Sequence, residues 1–396
     1  MKVILRLLVV LLVGLMALTV SAQEQSEMAP RLLLADSTGV VHVMDTEAGE
    51  IVTAFDMHEE MEEAPRLYVG PSGQYVFAVL RASNMVRVID SGYTGGELGE
   101  PTLLDFTLQT MMPTHFDIYG DHIVSFNDGD GSVTVFTEAI FNGGGTATTF
   151  FTGQSHHGVG VMVDETLIAT NPTPEAFLPV GPAVFNMDGE IVAAFDNCPG
   201  LHGKGVLADG RVVFGCDDGV SIISRSGDNW VTTKIAEDAE ARIGNFTYYD
   251  ETGLLLGNWG ADSYALVDVD AGTISEITLP LNIWIAPPAF NPLNADEVIV
   301  LTHDGSLHTV EAVTGEVVAT AAEIITAYEE PEDEDASVPR PALAIAGGHA
   351  YLSDPIAGTL HIINLSDMSE VAVMELGVHI TSIAVLGATS EAGSGI

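Results

Sequence analysis

Short stretches of alternating apolar and polar residues recur along the chain from about position 31 onward, and polar turns containing glycine separate them. Alternation with a period of two predicts β-strands that bury one face. The stretches come in groups. An apolar pair of strands is followed by a turn such as "CDDGVSIIS" or "THDGSLHTV", and then by a segment such as "DGEIVAAF". Each group predicts a four-stranded antiparallel meander.

The groups form an internal repeat with uneven loops. The clearest copies share the pattern His-Gly-x-Gly-Val-x-x-Asp and begin at His157 and at His202, 45 residues further on. Looser copies begin at Pro65, His115, Ile243, Pro288 and Arg340. Four strands repeated every 40 to 50 residues or so are typical of the blades of a β-propeller.

The two ends of the pattern predict how the ring closes. Residues 31–55 supply the second, third and fourth strands of a blade, and "HITSIAVLG" from His379 supplies a first strand without successors. We therefore expect an all-β chain with a single β-propeller of four-stranded antiparallel blades, whose closing blade is shared by the two termini. Eight blades are favoured, and seven remain possible if a weak repeat is misassigned.

The N-terminus has the pattern of an export signal. Lys2 and Arg6 precede an apolar run from Leu7 to Val20, and a small-residue site ends at Ala22. This predicts a cleaved secretory signal peptide at 1–22, a short tail at 23–30, the propeller at 31–388 and a C-terminal tail at 389–396. We expect a periplasmic or secreted protein without membrane insertion, because no later segment approaches the roughly 18 apolar residues of a spanning helix.

The charge is strongly negative, with 12 Lys and Arg against 56 Asp and Glu and a formal net charge of −44. Such a balance disfavours nucleic acid and anionic membranes as partners and favours cations or a basic protein surface. Acidity that serves solubility alone is an equal alternative. The acidic loops 56–63 and 329–335 are expected on the face where the channel opens, where they either attract cations or a basic partner or are simply solvated.

Histidines provide the candidate chemistry. The first strand of a blade lines the central channel, and His115, His157 and His202 occupy the same place at the mouth end of that strand in three consecutive blades. His379 does so in the closing blade, and His156 lies one residue before His157. Imidazoles that converge without thiolates predict a metal site, with zinc favoured over copper or nickel. A tetrahedral site leaves a fourth position for water, a carboxylate, His379 or His156.

Other histidines are expected to be structural. His42, His308 and His361 recur at one position of the third strand, away from the axis, where packing or cross-strand hydrogen bonding is expected. His58, His122, His303 and His349 fall in predicted loops or turns and receive no role.

The two cysteines, Cys198 and Cys216, predict a disulfide in an exported protein, with thiolate metal ligands as the alternative. Cys198 precedes His202 by four residues, and Cys216 ends the second strand of the same blade. Because these strands are antiparallel neighbours, a disulfide would clamp the loop that positions His202.

The segments "SHHGVGV", "CPGLHGKGV" and "GCDDG" resemble those of the AztD-type zinc metallochaperones, extracytoplasmic β-propellers that pass zinc to the solute-binding protein of a zinc ABC transporter. The resemblance spans most of the chain and is most specific over residues 115–219. It implies His157 and His202 as zinc ligands, His115 next, and no catalytic turnover. The His-rich N-terminal tract of that family is missing, because "QEQSEMAP" stands there.

The resulting prediction is a zinc-binding, zinc-delivering protein, expected to be monomeric, whose affinity falls as acid protonates its imidazoles. Two alternatives remain. One is a propeller hydrolase or lactonase whose metal activates water, for which we find no distinct general base or apolar substrate pocket. The other is a metal-free interaction scaffold.

Overall fold

The computed structural model describes the chain from residue 28 to residue 395 with several gaps. The predicted signal peptide, most of both acidic loops and His58 lie outside the described residues. No helix of this part of the chain is long and apolar enough to cross a membrane. The described ranges are 28–57, 63–174, 178–236, 242–249, 253–259, 262–280, 288–329, 338–388 and 393–395.

Eight antiparallel sheets in the described part of the chain form the predicted propeller, each with the four strands of a blade and one of them with a fifth strand added. Strands β1 to β3 of the first sheet are Arg31–Asp36, Val40–Asp45 and Glu50–Asp56. Blade 2 contains β4 Arg66–Val69, β5 Tyr75–Leu80, β6 Met85–Asp90 and β9 Thr102–Gln109, with the hairpin β7 Tyr93–Thr94 and β8 Glu97–Leu98 between the last two. Blade 3 contains β10 Pro113–Tyr119, β11 His122–Asn127, β12 Ser132–Phe136 and β13 Thr148–Phe151, and the 3-10 helix Glu138–Asn142 precedes its last strand.

The next three blades follow the same order. Blade 4 contains β14 Gly160–Val163, β15 Thr166–Thr170, β16 Pro182–Phe185 and β17 Ile191–Ala194. Blade 5 contains β18 Lys204–Val206, β19 Val212–Cys216, β20 Gly219–Ser226 and β21 Asn229–Ala236. Blade 6 contains β22 Phe246–Tyr249, β23 Leu254–Asn258, β24 Ser263–Asp268 and β25 Thr273–Thr278.

The last blades complete the ring. Blade 7 contains β26 Ala289–Asn291, β27 Asn294–Leu301, β28 Leu307–Glu311 and β29 Val317–Ala321. Blade 8 contains β30 Leu343–Ala346, β31 His349–Asp354, β32 Thr359–Asn364 and β33 Ser369–Glu375. Strand β34, Ile380–Leu386, then pairs with β1, so both ends of the chain share blade 1 as predicted.

Alternating side chains pack each blade against both neighbours. On β1, Leu33 belongs to a core cluster shared with blade 2, whereas Leu32 and Leu34 belong to one shared with blade 8. One such cluster fills each of the eight gaps between adjacent blades in the described part of the chain. The ring is therefore held by continuous apolar packing, and the inner strands are fixed around the channel.

Part of the C-terminal tail forms a strand that pairs with the propeller. Residues Gly393–Gly395 form β35, which pairs antiparallel with the inner strand β22 and makes blade 6 five-stranded. Gly395 lies opposite Phe246 in this pairing. The tail thus joins the edge of a strand that lines the channel.

Candidate metal centre

Three consecutive blades bring His115, His157 and His202 together. His115 is the third residue of β10, whereas His157 and His202 lie three and two residues before β14 and β18. All three stand at the end of the channel where the inner strands begin, which we call the mouth face. Their ligand nitrogens lie within 4.8 Å of one another, so the structure places side chains 42 and 45 residues apart in one cluster.

The rings present their Nε2 atoms to one another. His157 Nε2 is 2.8 Å from His202 Nε2 and 3.3 Å from His115 Nε2. Two Zn–N bonds of about 2.0–2.1 Å at a tetrahedral angle separate their nitrogens by about 3.3 Å. The spacing of His157 and His115 matches this value, and the spacing of His157 and His202 is shorter, so the rings converge as in a three-histidine metal site but are more compact on the side of His202.

Hydrogen bonds on the other side of two rings fix their orientation. His157 Nδ1–H donates to Asp128 Oδ2 at 2.7 Å, and His202 Nδ1–H donates to the carbonyl oxygen of Gly244 at 2.6 Å. With Nδ1 protonated, the neutral rings carry lone pairs on Nε2, and two such lone pairs 2.8 Å apart repel. A shared cation, whether a proton or a metal ion, removes this repulsion. The donor set thus fits a metal ion, with the anchoring of Nδ1 that metal-binding histidines usually have.

Asp128 is a buried acid held by several groups. It receives a hydrogen bond from His157 and a longer one from Arg81 Nη2 at 3.3 Å. Burial alone would raise the pKa of Asp128. The hydrogen bond and charge of His157, together with the hydrogen bonds of Thr114 and Arg81, outweigh burial and bring the pKa below its ordinary value. Asp128 is therefore an anion that orients His157.

His202 is held in the neutral form. Burial lowers its pKa, and the nearby His157 and Arg242 lower it further, against the hydrogen bond to Gly244, which raises it. Neutral imidazole is the form that binds metal.

Glycines allow the close approach of the strands at this site. A Cβ on Gly203 would lie 2.3 Å from the oxygen of Gly244, the atom that anchors His202. A Cβ on Gly158 would lie 2.1 Å from Thr170 Oγ1. The first glycine of each His-Gly-x-Gly copy is thus required by crowding beside the histidine.

A buried ion pair lies further along the same strands. Asp117 and Lys204, two residues after His115 and His202, form a contact in which both side chains are almost fully buried. Each charge neutralises the other, so this pair adds no net charge to the channel next to the histidines.

The predicted disulfide is confirmed. Cys198 and Cys216 are bonded, with a Cα–Cα distance of 5.0 Å, and both are fully buried. The alternative of thiolate metal ligands is therefore wrong, because both sulfurs are used. The loop between Cys198 and His202 is fixed further by Asp217 N–H, which donates to the oxygen of Pro199.

The structure does not bring His156 or His379 into the cluster. His156 Nδ1–H donates to the oxygen of Gln154, and its Nε2 accepts from Thr170 Oγ1, both at 2.9 Å, so both ring nitrogens are used. His379 Nδ1–H donates to the oxygen of Pro355. Neither is in the three-histidine group found among the described residues.

The histidines of the third strands have structural partners, as predicted. His42 pairs with Asp36 at 2.8 Å, His308 lies between the hydroxyls of Thr302 and Thr320, and His361 contacts Thr359 and Glu370. Placing His122 and His349 in loops was wrong, because they begin β11 and β31.

The roles of Asp128 and of the oxygen of Gly244 were not predicted from the sequence. A signal for Asp128 was present, since "NDGDG" occupies the turn between the second and third strands that "CDDG" occupies in blade 5. Every residue has a backbone carbonyl, so no residue type could have indicated that the oxygen of Gly244 binds His202.

Comparisons with known proteins extend these observations. No family model matches the chain. The zinc chaperone AztD of Citrobacter koseri is 27% identical over 382 residues, which cover 92% of this chain and 88% of that protein.

Solved structures show the same fold. The structure of apo AztD from Citrobacter koseri superposes with a TM-score of 0.79 at 24% identity, over 92% of this chain and 99% of that one. A dihydro-heme d1 dehydrogenase, NirN, follows with a TM-score of 0.61 at 13% identity, over 91% of this chain and 76% of that one. The resemblance to the AztD-type zinc chaperones is thus confirmed over nearly the whole chain, by sequence as well as by fold.

Proposed function

We propose that this protein is an extracytoplasmic zinc chaperone that binds Zn²⁺ through His115, His157 and His202 and transfers it to the solute-binding protein of a zinc ABC transporter. The observation that carries the proposal is the 2.8 Å contact between the Nε2 atoms of His157 and His202, whose Nδ1 atoms are committed to Asp128 and Gly244. The similarity to a zinc chaperone supports the choice of metal.

Transfer rather than storage is supported by the position of the site. The side chain of His157 is 30% exposed, and the cluster lies at the mouth face, where an acceptor can reach it. Three protein ligands leave one position of a tetrahedral zinc open. We propose that a ligand of the acceptor enters at this position and that the histidines then leave one at a time.

The proposal also includes the compartment in which the protein works and the charge of the surface to which it docks. The N-terminal pattern and the disulfide both suit an oxidising compartment, the periplasm or the exterior. The net charge of −44 would favour an acceptor whose docking surface is basic. We expect the protein to work as a monomer.

Equilibrium dialysis against zinc, followed by metal analysis, tests the binding step. We expect about one tightly held zinc per chain, and loss of zinc to the zinc-free solute-binding protein when the two are mixed. A protein that retains no zinc contradicts the proposal. Ester or lactone turnover that disappears with a chelator would instead indicate a hydrolase, because a three-histidine zinc with an open position can also activate water.

Asp128→Asn is expected to weaken zinc binding by about 10-fold to 100-fold, because the residues that orient metal-binding histidines typically have effects of this size. The amide keeps the volume of the side chain and removes the charge that holds His157. Competition with a chelator measures the change. Asp304→Asn, in the corresponding turn of blade 7, is the matched control and should bind zinc like the parent. Equal affinity of Asp128→Asn and the parent would show that Asp128 does not orient the site.

Zinc affinity is expected to fall with acidification, but at a lower pH than for a site made of ordinary histidines. Because burial holds the pKa of His202 below the ordinary 6.5, this ring is less protonated than a free histidine at any pH in that region. In the zinc-free protein the lowered pKa contributes stability that is present above 6.5 and is lost as the pH falls below it. Chelator competition between about pH 8 and pH 5 measures the affinity. An affinity independent of pH in this range would be incompatible with histidine ligands.

A further inference from the structure

Basic residues are scarce in this chain but gather at the histidine cluster. The sequence has 12 Lys and Arg against 56 Asp and Glu. Three of the twelve lie near it. Arg81 contacts Asp128, which binds His157, and Arg242 lies beside Gly244, which binds His202. Lys204 follows His202 by two positions. In so acidic a protein, cations beside a proposed cation site need an explanation.

Lys204 is already accounted for, because it is buried and paired with Asp117. The two arginines differ from it. Their side chains are 44% exposed in Arg81 and 38% exposed in Arg242, so both remain accessible from solvent.

Arg242 stands beside the anchor of His202. Its guanidinium carbon is 3.8 Å from the place where a Cβ on Gly244 would lie, and the oxygen of Gly244 binds His202. Its charge is one of the influences that lower the pKa of His202, so its field reaches the ring. The acid paired with it among the described residues is Asp217, whose Oδ1 is 3.5 Å from Nε. This contact is long, and it leaves the terminal nitrogens without a described acceptor.

Arg81 stands in the same relation to His157. Its Nε donates to Thr114 Oγ1 at 2.9 Å, and its Nη2 donates to Asp128 at 3.3 Å, the acid that holds His157. A guanidinium has five N–H donors, and the contacts of Arg81 with described residues use two of them. Two partly exposed guanidinium groups thus lie beside the groups that hold His157 and His202, namely Asp128 and Gly244.

The site itself supplies no anion to a bound metal. Among the described residues, the cluster contains three imidazoles and no carboxylate. Asp128 binds His157 and Arg81 through Oδ2, Asp117 is paired with Lys204, and neither of these buried acids belongs to the group of converging ligand atoms. Three neutral imidazoles bring no negative charge into direct contact with a zinc ion in a partly buried place, which favours an anion as the fourth ligand.

We propose that the fourth position of zinc at this cluster takes a carboxylate from outside the chain and that Arg242 and Arg81 receive it. The inference rests on the proposed function and adds the chemical class of the incoming ligand. One carboxylate oxygen binds zinc as a water molecule leaves, and the other accepts hydrogen bonds from a guanidinium, whose fork matches a carboxylate. The carboxylate comes either from an Asp or Glu of the acceptor or from a small organic acid.

Cobalt substitution tests this directly, because Co²⁺ reports its ligands in the visible spectrum. We expect sodium acetate to change the spectrum of the Co²⁺-loaded protein saturably, whereas sodium perchlorate at equal ionic strength does not. Arg242→Gln should weaken acetate binding by about tenfold, since one charge-assisted contact is lost. Arg225→Gln, which removes the arginine stacked on Trp230, is the matched control and should behave like the parent.

The outcomes separate the two proposals. Failure to bind Co²⁺ or Zn²⁺ at all overturns the proposed function. Normal metal binding with no effect of acetate, or with the same effect in Arg242→Gln and the parent, overturns the carboxylate inference alone.

Transfer kinetics then distinguish the sources of the carboxylate. With the zinc-free solute-binding protein as acceptor, acetate slows transfer if an acceptor carboxylate must enter the same position, and it speeds transfer if a small acid is the entering ligand. Transfer that is indifferent both to acetate and to Arg242→Gln contradicts the inference.

Discussion

His157→Ala is expected to lower zinc affinity by more than about 100-fold, beyond the range for residues that only orient a ligand. His157 is the middle ring of the cluster, with its Nε2 2.8 Å from that of His202 and 3.3 Å from that of His115. Its removal takes away one ligand, and it is the ligand that contacts both of the others. It also leaves the buried Asp128 without its imidazole partner. Chelator competition with zinc measures the loss.

The control for this variant is His122→Ala. His122 begins β11 at the end of the β10–β11 hairpin remote from the mouth face, and it should bind zinc like the parent. The melting temperatures of both zinc-free variants show whether they fold. If folded His157→Ala retains the parent's affinity, the cluster is not the zinc site.

Removal of the disulfide, in Cys198→Ala combined with Cys216→Ala, is expected to destabilise the protein by about 3 kcal/mol. The bond closes a loop with a sequence separation of 18, and both residues are fully buried in the core between blades 4 and 5. The same loop carries His202, so we also expect zinc affinity to fall by about tenfold, at the lower end of the effects of orienting residues. Denaturant unfolding and chelator competition measure the two changes.

The comparison for this variant is the parent protein in its reduced form. It is reduced under denaturing conditions and refolded under conditions that keep both thiols reduced. It keeps the sulfur atoms and lacks the bond, so it separates the effect of the cross-link from that of the cavity left by two alanines. Equal stability of the oxidised and reduced parent would show that the bond does not clamp the loop.

The fold could be predicted closely because each blade of a propeller corresponds to one copy of a sequence repeat. The shared register of His157 and His202 placed two blades, and the incomplete sets of strands at the ends predicted the closing blade that β34 and β1 form. The same register predicted the cluster, since equivalent positions on inner strands must converge on one axis.

Other features could not be predicted, for physical reasons. The anchor of His202 is a backbone oxygen, and the pairing of Asp117 with Lys204 joins blades 3 and 5, which are not neighbours in the ring. His156 was a candidate for the fourth ligand, but Thr170 and Gln154 hold its ring in hydrogen bonds outside the cluster. The pairing of Gly393–Gly395 with β22 was missed, because three small residues carry no alternation.

X-ray absorption at the zinc edge of the protein loaded with one equivalent of metal tests the central claim most directly. We predict a first shell of three imidazole nitrogens at about 2.0–2.1 Å with one further light ligand, and loss of imidazole scattering in His157→Ala and His202→Ala. A shell of oxygens alone, or spectra that are the same in the parent and both variants, would show that zinc binds elsewhere.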